Sequence, residues 1–144
     1  MKLILTELDP PSPTLMGGKA AALAELSSNG LPIPPWIVIS PRAFDECLND
    51  AQRRELGSVT DPELLRRVVA GIQMNRDVAD AIERATRELA RNGELLAVRS
   101  SAVDEDGADH SFAGQLESFL FVPAGEVARR VVDVWQSGFT DRVF

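Results

Sequence analysis

Apolar residues recur along this chain in two spacings, and each spacing predicts an element. Leu3-Ile4-Leu5 is a short apolar run ahead of the breaker cluster Asp9-Pro10-Pro11-Ser12-Pro13, so it predicts a strand followed by a loop. After Met16-Gly17-Gly18-Lys19, the segment Ala20-Ala21-Ala22-Leu23-Ala24-Glu25-Leu26 is rich in strong helix formers, with Leu23 and Leu26 on one face. Asn29-Gly30 supplies its stop. Leu31-Pro32-Ile33-Pro34-Pro35 is extended and leads into Trp36-Ile37-Val38-Ile39, an apolar run that predicts a buried strand. Ser40-Pro41 reads as an N-cap with proline in the first helical position, and Phe44, Cys47, Leu48 and Ala51 then keep helical spacing.

The second half alternates in the same way. Thr60-Asp61-Pro62-Glu63 fits a capping box, and Leu64, Leu65, Val68, Val69 and Ile72 line one side of the helix after it. A longer helix runs from about Arg76 to Arg91, with Val78, Ile82, Ala85 and Leu89 as its stripe. Asp80–Arg84, Glu83–Arg87 and Arg84–Glu88 can pair on its outer face, and Asn92-Gly93 ends it. Leu95-Leu96-Ala97-Val98 predicts a second buried strand that runs into Arg99-Ser100-Ser101. A polar loop spans Asp104 to Gly114. Ser118-Phe119-Leu120-Phe121-Val122 is the next strand, closed by Pro123, and a last helix turns Val127, Val131, Val134 and Trp135 inward. Helices loosely alternating with short strands, without internal repeats, give a fold class of α/β or α+β.

Composition narrows the function. With 144 residues, 44% of them apolar, the chain suits one domain over residues 1–144. Fifteen basic residues against 22 acidic ones give a net charge of −7, a poor balance for binding nucleic acid or an anionic membrane surface. One cysteine, Cys47, excludes an internal disulfide, and one histidine, His110, excludes a site built on two imidazoles. No run approaches the roughly 18 apolar residues of a membrane helix, and the N-terminus turns polar too early for a signal peptide. The expectation is a cytoplasmic protein. Val143-Phe144 is an apolar ending without a stop signal, which reads as a fragment of a longer chain.

Few residues invite chemistry. Gly17-Gly18-Lys19 opens a helix, whose free N–H groups attract anions, and the lysine adds a full charge. The segment is not a Walker A loop: Pro13 stands where glycine is needed and Ala20 where Ser or Thr is needed. A helix start with a solvated lysine fits these residues as well. Arg99 follows an apolar strand directly, at the place where open α/β sheets bind ligands, and its planar fork suits phosphate. Ser100 and Ser101 add hydroxyls. A structural arginine paired with Asp104, Glu105 or Asp106 is the alternative. The loop Asp104–Asp109 fails the EF-hand pattern and reads as solvated acidic surface. Ser111-Phe112-Ala113-Gly114-Gln115 is a small-residue turn able to close over a ligand or simply to seat Phe112. His110 reads as a surface residue, Cys47 as packing, and Trp36 and Trp135 as core.

Taken together, these stretches resemble one family. Met16–Leu26 is similar to the "GGKgasLaem" motif of the phosphoenolpyruvate-utilising dikinases. Ala97–Asp106 resembles their "vRSSAtaED", and Ser111–Val122 their "SFAGqqetfLnV". Gly30–Trp36 is similar to "GlpVPpGFvv", and Val134–Arg142 to "vwaSlfseRa". The resemblance covers nearly the whole chain in the family's order; Val103 departs from the usual threonine. It implies the front part of an ATP-grasp-like ATP-binding domain. Lys19 and Arg99 match residues that contact ATP phosphates, and Gly114 matches the glycine lying over them. Ser100 and Gln115, in the same motifs, complete the expected nucleotide-binding set. The family implies ATP and Mg2+ as cofactors, with the metal ligands in a second half of the domain and a phosphocarrier histidine on a swivelling domain, neither present here. No catalytic residue is therefore expected in this chain, and the fragment alone is expected to be inactive. The other reading is a stand-alone module of the same fold that binds a partner chain or completes a split enzyme.

Overall fold

The computed structural model describes residues 2–10, 16, 18–58, 60–100 and 118–137. Its organising element is a ribbon of two very short strands. Strand β1 (Ile4–Thr6) pairs antiparallel with β2 (Ile37–Ile39), with Ile4 opposite Ile39, Leu5 opposite Val38 and Thr6 opposite Ile37. Side chains alternate across a strand, so each such pair faces one side only. Leu5 and Val38 join Met16, Ala20 and Ala24 in a small buried cluster flanked by Trp36. Ile4 and Ile39 face the other way and pack on the main core. The ribbon is thus a wall between two apolar clusters.

Ser40 ties this wall together. Its backbone occupies the N-cap position, as the sequence predicts, but its hydroxyl does not cap the helix. The Ser40 Oγ instead donates to the Lys2 carbonyl at 2.6 Å, and the Ser40 N–H donates to the Leu3 carbonyl at 2.9 Å. The residue is 1% exposed, so the donor end of each bond is buried.

Helix α1 (Gly18–Ser28) sits on the small cluster. Its buried face is Ala20, Ala21 and Ala24, while Leu23 is half-buried and Leu26 is exposed. The leucine face expected from the sequence yields to alanines, because small side chains let a helix approach a two-stranded ribbon closely. The helix ends in a Schellman turn: Leu31 N–H donates to the Leu26 carbonyl and Gly30 N–H to the Ser27 carbonyl, with Gly30 at φ +81°.

The helix predicted from Pro41 onward breaks in two. Helix α2 (Pro41–Glu46) stops, and α3 (Asp50–Ser58) starts anew. Asn49 causes the break. Its carboxamide accepts from Gln52 N–H at 2.8 Å, and the Gln52 side chain accepts from Asn49 N–H at 2.9 Å. This is a reciprocal capping box built from amides. Cys47 and Leu48 are buried at the break, while Ala51 is exposed. Helix α4 (Pro62–Ala70) is capped by Asp61 and not by Thr60: the Asp61 carboxylate accepts from Glu63 N–H at 3.0 Å. Leu65, Val69 and Ile72 are buried; Leu64 is exposed. Helix α5 (Arg76–Leu89) buries Val78 and Ile82 completely and adds Thr86, whose hydroxyl donates to the Ile82 carbonyl at 2.8 Å. On its outer face Arg87 meets Glu83 at 2.6 Å as expected, whereas Glu88 pairs with Arg91.

A second antiparallel ribbon joins β3 (Leu96–Arg99) to β4 (Ser118–Val122). Leu96 is opposite Val122, Val98 opposite Phe119, and Arg99 opposite Ser118. Between the first two pairs β3 has one residue, Ala97, and β4 has two, Leu120 and Phe121. This is a β-bulge. It lets Phe119 and Val122, three residues apart, both pack against the core. Leu120 and Phe121 are left together on the outside, 61% and 76% exposed. Phe121 adopts φ 58°, the left-handed conformation that a bulge of this kind usually gives to glycine. The strand predicted as buried is therefore covered on one face only: Leu96 and Val98 pack inward, Ala97 and Arg99 outward.

A 3-10 turn (Ala124–Glu126) leads into α6 (Val127–Ser137), which buries Val127 and Val131. Trp135 packs edge-on against Phe44, with ring centroids 5.3 Å apart. The class is α+β with both ribbons antiparallel. Among the described residues, no helix is long and apolar enough to cross a membrane.

Two substitutions test this account by urea denaturation. Ser40→Ala removes a partly buried hydrogen bond and should cost about 0.5–1.5 kcal/mol with an unchanged denaturant slope. Phe121→Gly removes the left-handed strain and little packing, and should raise stability by about 1 kcal/mol.

Candidate functional site

Lys19 is the second residue of α1 and is half-buried. Its place is set by the packing of Ala20 and Ala24 against Leu5 and Val38. The lysine therefore stands near the N-terminal end of the helix, the positive end of its dipole.

Arg99 is the last residue of β3, opposite Ser118, and Ser100 follows it half-buried. Since Leu96 and Val98 turn inward, alternation turns Arg99 outward, where it is exposed. The strand-end rule for parallel sheets does not supply this position, because β3 is antiparallel to its neighbour. Arg99 and Ser100 are thus brought together by chain adjacency. Lys19 belongs to the helix on the far side of the β1–β2 wall from the main core that β3 joins. Gly114 and Gln115 lie outside the described residues, as do His110 and the acidic loop from Asp104 to Asp109. Among the described residues, no group of three or more His, Cys, Asp and Glu is arranged to hold a metal ion.

The shifted titrations belong to turns and packing. Burial pushes the Cys47 thiol up, opposed by the Asn75 N–H that donates to its Sγ at 3.3 Å. The hydrogen bond from the Lys2 ammonium at 2.9 Å, with a second from Thr6 N–H at 2.8 Å, holds Asp9 below the usual carboxylate value. Glu94 is lowered by its own amide and that of Asn92. Trp36, expected in the core, flanks the small cluster instead, and its buried indole Nε1 has no hydrogen-bond partner among the described residues. What the sequence reading missed is the outward pair Leu120 and Phe121. The signal was present: Phe119 and Val122 cannot share one face of a regular strand, so two apolar positions three apart imply a bulge.

With this geometry in view, comparison with known proteins identifies the relatives. Residues 13–144 match the family described as the pyruvate phosphate dikinase AMP/ATP-binding domain. The prodigiosin synthesizing transferase PigC of Serratia marcescens is 37% identical over 90% of this chain. A rifampicin phosphotransferase of Streptomyces sviceus is 38% identical over 97% of it, and a probable phosphoenolpyruvate synthase of Methanocaldococcus jannaschii 34% identical over 99%. The chain spans only 15%, 18% and 14% of the lengths of these three proteins.

Cys47 is packing and not a nucleophile, by burial and by its raised pKa. Native protein should react with an aromatic disulfide reagent at least tenfold more slowly than urea-unfolded protein at the same pH, read from thiolate release.

Proposed function

The chain belongs to the pyruvate phosphate dikinase AMP/ATP-binding domain family, and on that premise we propose that it forms the phosphate-holding part of a nucleotide site in a dikinase-type phosphotransferase. The observation that carries this reading is Arg99, turned outward at the end of β3 with Ser100 beside it. Strand alternation fixes the face on which Arg99 stands, and its guanidinium is a planar fork suited to phosphate oxygens. Lys19, near the start of α1, adds a second cation, and Gly114 and Gln115, in the motif after β3, supply the loop over the phosphates. Phosphoryl transfer depends mainly on positioning and charge neutralisation, and these residue types serve both.

The described residues do not fit a magnesium site, since they hold no carboxylate cluster. Its ligands and the phosphocarrier histidine are assigned to other parts of a longer protein, in keeping with the small share of its relatives that this chain spans. In that protein the bond between the α- and β-phosphates of ATP breaks and AMP leaves. The β-phosphoryl group passes through the histidine to an acceptor, and water cleaves the β–γ bond so that the γ-phosphate leaves as inorganic phosphate. The 144-residue chain contributes binding and orientation, and by itself it transfers nothing.

ATP titration of the labelled chain, followed by NMR, tests the reading. Saturable shifts are expected at Lys19, Arg99 and Ser100, with affinity falling about tenfold or more in each of Lys19→Ala and Arg99→Ala. Absence of saturable shifts at several-millimolar ATP, or variants that bind as the parent does, would overturn it.

A further inference from the structure

The chain has four asparagines, and the fold treats them unequally. Asn49 and Asn75 have committed carboxamides. Asn49 accepts from Gln52 N–H at 2.8 Å, and Asn75 accepts from Asp77 N–H at 2.8 Å while donating to the Glu46 carbonyl at 3.4 Å. Asn29 and Asn92 each precede glycine, which has no side chain to hinder attack of its backbone nitrogen on the carboxamide before it. Both are exposed, and both glycines hold positive φ, +81° at Gly30 and +82° at Gly93. Each glycine N–H also closes a turn, Gly30 on the Ser27 carbonyl at 3.1 Å and Gly93 on the Ala90 carbonyl at 3.0 Å.

The two sites differ in how the surrounding main chain is tied. Asn29 N–H still bonds to the helix, with the Glu25 and Leu26 carbonyls both at 3.2 Å, and Leu31 N–H returns to Leu26 at 3.2 Å. Bringing the Gly30 nitrogen to the Asn29 carboxamide means unwinding that helix end. Asn92 lies beyond α5, which ends at Leu89. Among the described residues its N–H meets a side chain, the Glu94 carboxylate at 3.1 Å, across an exposed turn. A single exposed hydrogen bond is a small barrier to local opening.

We propose that Asn92 is a self-modification site of this chain and that the Glu94 carboxylate sets its pace. The Gly93 nitrogen gives up its proton to water and attacks the Asn92 Cγ. Ammonia leaves, and a five-membered succinimide closes. Water then opens the ring at one carbonyl or the other, to aspartate or isoaspartate, so water is the only co-reactant. The isoaspartate product carries a methylene into the main chain. A new carboxylate also stands beside Glu94, in the link between α5 and the strand that bears Arg99.

Incubation of the 144-residue chain at mildly alkaline pH, with peptide mapping by mass, tests this. In native protein Asn92 should convert at least about fivefold faster than Asn29, and in urea the two rates should converge to within about twofold. Glu94→Ala frees the Asn92 amide and should speed conversion there about two- to threefold in native protein, with Asn29 unchanged and no acceleration in urea. If Asn29 converts as fast as Asn92 in native protein, or the native ratio equals the ratio in urea, the structural selection of Asn92 is wrong. If Glu94→Ala leaves the native rate unchanged, or raises it equally in urea, the control by Glu94 is wrong.

Discussion

Two strands of three residues each separate the apolar clusters of this molecule, and their alternation decides which side chain serves which cluster. A slip of one residue in that pairing would send Leu5 and Val38 to the main core and Ile4 and Ile39 to the alanine helix. A ribbon so short has few ladder bonds to hold its register. The buried Ser40 hydroxyl and amide supply that control from just beyond the strand, by holding the Lys2 and Leu3 carbonyls. The placement of α1, and with it Lys19, follows from this register.

Much of the element order was legible from periodicity. The two glycine-led stops, at Gly30 and Gly93, carry positive φ where the pattern breaks, and the stripe of α5 holds Val78 and Ile82 fully buried. Errors arose where a polar side chain outcompeted the apolar period. Asn49 and Gln52 cap each other and cut a continuous helical pattern in two. Asp61, one residue from the predicted cap, accepts the helix amide because proline at the next position fixes the turn around it. Ser40 bonds to the Lys2 carbonyl just ahead of the first strand, 38 residues away, a partner that no local pattern announces.

The candidate site divides the same way. Arg99 could be picked out because an apolar strand ends on it, although the physical basis is alternation in an antiparallel ribbon and not the crevice of a parallel sheet. Its neighbour Ser100 came with it. Lys19 was visible as a cation after paired glycines, yet the cluster its helix packs on was not, since no local pattern says that α1 sits on the Leu5–Val38 side of the ribbon. The outward aromatic at Phe121 was hidden by the habit of reading apolar runs as buried. An extra residue in one strand reverses that habit for everything beyond it.

The bulge also frees the two sides of β4 from each other's history. In a regular strand, inserting or deleting a residue to reshape the outer surface would rotate the inner one. Here the shift is already absorbed within the strand: Phe119 and Val122 are anchored to the core on either side of an outward pair that touches little of it. Positions 120 and 121 can change in size and polarity across descendants while the framework beneath keeps its shape. A scaffold with such a replaceable facet lets related proteins diversify what they contact without refounding their fold.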